Sequence, residues 1–122
     1  MTRTTKTALP SKMRKPYRTA VIGTGRWGKN IIATLKQLPE AELTYTVTED
    51  YPALLKKTDI DAVIVATPAA THYTVALPFI ERGWPVFIEK PLTASLADAQ
   101  RLAAAAWQSG SLVFVGHIHL YN

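Results

Sequence analysis

The chain has 122 residues, 48% of them hydrophobic, enough for one core of ordinary domain size. Its formal charge is +5, and the absence of cysteine excludes disulfides and thiolate metal sites. No apolar run reaches membrane-spanning length and the first residues lack the apolar stretch of a signal peptide, so a soluble, cytoplasmic protein is expected.

The basic surplus sits in one place. Residues 1 to 18, MTRTTKTALPSKMRKPYR, carry six of the 14 basic groups and no acid, whereas residues 19 to 122 hold eight basic and nine acidic groups. The first segment reads as a flexible basic leader and the remainder as one nearly neutral domain. Nucleic-acid binding would rest on the leader's charge alone and is the weakest function class.

In chain order, Thr19 to Gly23 (TAVIG) predicts a strand. Lys29 to Leu38 places Ile31, Ile32, Leu35 and Leu38 on one helical face and stops at Pro39. Leu43 to Val47 predicts a second strand, and Pro52 to Lys57 a short helix with Asp50 near its N-cap. Ala62 to Ala66 (AVIVA) is a strand ended by Thr67-Pro68. A helix over about Thr71 to Arg82 follows, with Pro78 inside it and Gly83 as its C-cap. Val86 to Ile88 is a fully apolar strand that runs into Glu89-Lys90-Pro91. Ser95 and Asp98 form an S-x-x-D capping box for a helix to about Gln108, closed by Gly110, and Leu112 to Val115 is the last strand, which HIHLY would extend. Strands alternating with helices predict an α/β, doubly wound parallel sheet of Rossmann-like type.

Within that frame GTGRWG (23 to 28) fits G-x-G-x-x-G between a strand and a helix, the setting of a dinucleotide loop. Gly23 permits the tight turn, Gly25 lets a pyrophosphate approach, and Gly28 allows close packing. The phosphates would sit near Arg26 and Trp27 at the positive end of the helix. An acid at the end of the second strand would accept hydrogen bonds from the adenosine ribose. Glu49 or Asp50 in that role favours NAD, Thr48 leaves NADP open, and Asp50 competes as a helix cap.

The loop, ATPAATHY (66 to 73), EKP (89 to 91) and VGHIHLYN (115 to 122) together resemble the N-terminal half of the Gfo/Idh/MocA family. These are NAD(P)-dependent oxidoreductases acting mostly on sugars and polyols; GRWGKN, EKP and GHIHLYN look most like its nucleotide-sugar dehydrogenase branch. The resemblance implies cofactor contacts at Gly23, Gly25, Gly28, Ala66, Thr67, Pro68, His72, Glu89, Lys90 and Pro91. It also implies that Lys90 reaches toward the nicotinamide and the substrate hydroxyl, where a cation favours a developing alkoxide and a positioned lysine can transfer a proton. The alternative for Glu89 and Lys90 is a local ion pair at the strand end.

Two departures qualify the likeness. Only about 20 residues separate Glu42-Leu43 from Asp61-Ala62-Val63, where the family has a further helix and edge strand, so an internal deletion after the second strand is expected. The α/β substrate domain that the resemblance implies does not follow within these residues. A chain of this extent is expected to need a partner chain to complete a sugar or nucleotide-sugar site. An uncovered sheet edge or apolar surface also favours a homo-oligomer, and a non-catalytic nucleotide-binding or self-assembling protein is the alternative function. His117 and His119 share a strand face without an evident third metal ligand, so no metal site is expected.

Overall fold

A computed structural model describes residues 15 to 116, apart from the Trp27 side chain. Most of the leader and the histidines His117 and His119 lie outside the described residues. Five parallel strands, β1 (Tyr17–Ile22), β2 (Ala41–Val47), β3 (Ala62–Val65), β4 (Val86–Glu89) and β5 (Val113–Gly116), lie in the order β2-β1-β3-β4-β5. They alternate with α1 (Arg26–Lys36), α2 (His72–Glu81) and α3 (Leu96–Ser109), and with two short 3-10 helices, Tyr51–Lys56 and Ala69–Thr71. This is the Rossmann-like sheet the alternation predicts. The crossover from β2 to β3 carries only the six-residue 3-10 helix, so β2 is left as a sheet edge.

The inner segments of the central strands, Ala20 to Ile22, Val63 to Val65 and Val86 to Ile88, are apolar because both of their faces are covered. On one face, Ala20, Ile22, Val63, Val65, Val86 and Ile88 pack against Leu54 of the first 3-10 helix, Val75, Ala76, Phe79 and Ile80 of α2, and Leu102 of α3. On the other, Val21 and Ile64 meet Ile31 and Leu35 of α1. Leu38, expected on the buried stripe of α1, lies beyond the helix end and is 44% exposed. The β1–β2 pairing shifts between Thr19 and Ala20, whose partners are Leu43 and Tyr45, so Thr44 is an extra residue that bulges the edge strand.

The helix ends follow their local chemistry. Ser95 Oγ accepts from the Asp98 amide (3.1 Å), and Gly110 closes α3 in the left-handed conformation, as the sequence predicts. α2 runs through Pro78 and ends in a Schellman motif. The Gly83 amide bonds to Ile80 O (2.9 Å), the Trp84 amide to Phe79 O (3.1 Å), and the Phe79 and Trp84 rings pack 5.5 Å apart. Asp50 occupies the N-cap position before Tyr51 but makes no capping side-chain bond, because the turn behind it is a 3-10 helix with Pro52 supplying an N-terminal position that has no amide donor.

β1 begins two residues inside the basic segment. Tyr17 and Arg18 pair with Ala41 and Glu42, and Arg18 grips Asp61 through its amide (2.8 Å), Nε (3.1 Å) and a second guanidinium nitrogen (3.0 Å). These bonds hold the Asp61 carboxyl below its ordinary range. The clamp ties β1 to the turn before β3 at the amino ends of the strands, opposite the glycine loop.

Candidate functional site

The carboxyl ends of β1, β2 and β3 open onto a cleft of about 500 Å³. It is lined by Gly23, Thr24, Gly25 and Arg26 from the first loop, Thr48, Glu49 and Tyr51 beyond β2, and Ala66, Thr67 and Pro68 beyond β3. Thr71 and Val75 close it at the start of α2. Parallel α/β sheets bind ligands at this position, beyond the strand ends where neighbouring crossovers diverge.

Backbone geometry explains the three loop glycines separately. Gly23 has φ of +109°, and a Cβ there would lie 2.6 Å from Ala66 O; a Cβ on Gly28 would collide with the Gly23 carbonyl oxygen. Both are needed to close the turn. Gly25 meets nothing within 4 Å, so the space above it is open to a ligand. Gly25 is also the N-cap of α1 and makes no side-chain cap. The first turn has no acid and begins with Arg26. An uncapped helix start facing open space beside a guanidinium has the donor set that a pyrophosphate requires, so these residues fit a dinucleotide.

Of the residues anticipated as cofactor contacts, Gly23, Gly25, Arg26, Thr48, Glu49, Ala66, Thr67 and Pro68 share this cleft. Gly28 lies behind the turn, and the Trp27 side chain falls outside what is described. Asp50, exposed, is not on the lining.

His72 also does not line the cleft. It is 1% exposed, with Nδ1 2.8 Å from Pro91 O and Nε2 2.7 Å from Thr67 O. The imidazole lies between the end of β3 and the loop after β4; both neighbours are carbonyl oxygens, and a neutral ring has one N–H to donate between them. Glu89 is buried at the end of β4, where it pairs with Gly116 of β5, whereas Lys90 is exposed and its amide bonds to Gly116 O (3.2 Å). The Lys90–Pro91 peptide is cis. Glu89, Lys90 and Pro91 lie off the lining of the glycine cleft and are joined to it through His72 and Thr67.

The sequence pattern of GFO_IDH_MocA, the oxidoreductase family with an NAD-binding Rossmann fold, matches residues 40–117, more than half of the chain. The chain belongs to this family, and its sheet is the family's NAD(P)-binding Rossmann domain. Among relatives, it is 29% identical to the scyllo-inositol 2-dehydrogenase (NAD(+)) of Bacillus subtilis, over 90% of this chain and 38% of that enzyme. Among solved structures, it matches KijD10, a 3-ketoreductase from Actinomadura kijaniata bound to TDP-benzene and NADP. The TM-score is 0.80 at 30% identity, over 88% of this chain and 40% of that one. It also matches GenD2 from gentamicin A biosynthesis, bound to NAD, with a TM-score of 0.79 at 30% identity, over 92% and 37% of the two chains. The chain spans 37 to 40% of the length of these three proteins.

Tyr51, Thr71 and Val75 were missed as cleft residues. Tyr51 carried a usable signal, an aromatic placed directly after the polar end of β2. Thr71 lies within ATPAATHY, whereas Val75 carried no signal, because only the docking of α2 brings it to the cleft.

Proposed function

We propose that this domain holds NAD or NADP in the glycine-loop cleft and serves an oxidoreductase acting on a sugar or nucleotide-sugar. The observation that carries the reading is the convergence of an uncapped α1, the open side of Gly25 and the Ala66-Thr67-Pro68 strand end on one cleft. A bound nicotinamide would supply hydride exchange with the substrate carbon. The α1 amides and Arg26 hold the pyrophosphate. Thr67 and Pro68 border the path of the cofactor along β3, and Glu49 receives ribose hydroxyls and opposes a 2′-phosphate, which favours NAD.

Lys90, exposed beyond β4, is the catalytic residue of this reading. Its ammonium orients the substrate oxygen, stabilises negative charge as it develops there, and can pass a proton to it. Glu89 and Pro91 fix the backbone on either side of it, and His72 holds the Pro91 carbonyl, so that His72 is a positioning residue. Completion of a sugar pocket takes residues beyond this domain or a partner chain in a homo-oligomer, and a cytoplasmic setting suits a cofactor-dependent enzyme of this kind.

Calorimetric titration of the chain with NAD and with NADP, alongside a Gly25→Val variant, tests the reading. Binding by the native chain, tighter for NAD, and none by the variant is expected; no heat with either cofactor overturns it. A non-catalytic, self-assembling role is the second reading, favoured by the exposure of Trp107 (87%), Leu112 (61%) and Phe114 (56%) along α3 and β5.

A further inference from the structure

We infer that Tyr51 is the wall against which the adenine base stacks, taking the place of the longer crossover that this chain lacks after β2. The inference rests on the dinucleotide reading of the cleft. Only Thr48, Glu49 and Asp50 separate the end of β2 from the 3-10 helix that begins at Tyr51, so whatever bounds the adenosine end must come from that helix.

Tyr51 is half-buried and packs against the main core while also lining the cleft. Its backbone is pinned from both directions. The Ala53 amide bonds to Asp50 O (3.1 Å), and Leu54, 1% exposed, anchors the same short helix in the core. The ring is held by its packing against the core. Glu49 and Thr71, both exposed, line the cleft with it, and Val75, buried in the core against which Tyr51 packs, forms part of its floor. An aromatic ring with an adjacent carboxylate suits an adenosine: the base on Tyr51, the ribose hydroxyls on Glu49. Any π-faced base satisfies the stack, so Tyr51 would set affinity, and Glu49 the choice between a free and a phosphorylated ribose.

The test is calorimetric titration of the full chain and of Tyr51→Phe, Tyr51→Leu and Tyr51→Ala variants with NAD and with ADP-ribose, with far-UV circular dichroism confirming that each is folded. Tyr51→Phe is expected to bind as the native chain does. Tyr51→Leu, which keeps apolar bulk and core packing, is expected to bind both ligands about tenfold more weakly. Unchanged NAD affinity in folded Tyr51→Leu overturns the adenine wall while leaving the dinucleotide reading intact. A loss confined to NAD, with ADP-ribose unaffected, also overturns it. Failure of the native chain to bind either ligand overturns the dinucleotide reading and this inference with it.

Discussion

The same five strands present two unequal faces. One is roofed by the first 3-10 helix, α2 and α3 over a continuous cluster in which Phe79, Ile22, Ile88 and Leu102 are almost fully buried. The other is covered by α1 alone, over β1 and β3, and beyond that helix Phe114 of β5 stands 56% exposed. The glycine cleft opens at the carboxyl ends of β1, β2 and β3, beside α1, whereas the bare surface lies on β5 at the opposite edge of the sheet. The half that bears the glycine loop is thus packed on both faces of β1 and β3, while the half beside β5 offers apolar surface that α1 does not reach.

Substitutions on the two faces should therefore differ sharply. The largest effect is expected from Phe79→Ala, which empties the centre of the roofed core and removes the Trp84 contact that closes α2; about 3 to 5 kcal/mol of unfolding free energy should be lost in urea denaturation. Next, His72→Leu strips the Thr67 and Pro91 carbonyls of their shared partner. Loss of the one bond that a neutral imidazole can donate to these carbonyls should cost about 1 to 3 kcal/mol by the same method. Ser95→Ala removes the α3 cap and should cost about 1 kcal/mol. The smallest effect belongs to the bare face: Phe114→Thr should change stability by less than about 0.5 kcal/mol, and a loss as large as that of Phe79→Ala would show that the face is covered in solution.

The titrating groups sharpen the picture at the other end of the strands. Because Arg18 lowers the folded carboxyl of Asp61, its contribution is complete above the ordinary value of 3.8 and is lost as pH falls through the lower folded value. Tyr45 donates to Asp59 (2.9 Å) and is raised above 10.0, so its contribution is present below that pH and lost as pH rises through the folded value. Asp61→Asn should flatten the acid limb of the stability profile and leave the alkaline limb as it was.

Much of the architecture was legible in local signals. The apolar runs AVIV and VFI, the S-x-x-D box and Gly83 name their elements because periodicity and capping act within a few residues. The start of β1 was not legible: Tyr17 and Arg18 look like the rest of a basic leader until Asp61, distant in sequence, supplies the partner. The motif beside the strand end marks His72 but not its burial. Its carbonyl partners, Thr67 and Pro91, come from two loops whose approach depends on packing. Asp50 looked like a cap, and a 3-10 turn removed the geometry for it. The glycine loop was legible down to individual residues, since sterics alone separate Gly23 and Gly28 from Gly25.

Backbone amide shifts of the ¹⁵N-labelled chain on addition of NAD test the central claim most directly. Perturbations gathered at Gly23 to Arg26, Thr48 to Tyr51, and Ala66 and Thr67, with Val113 to Gly116 unmoved, are the predicted result. Shifts confined to β5 and α3, or none at all, would contradict a dinucleotide site at the covered end of the sheet.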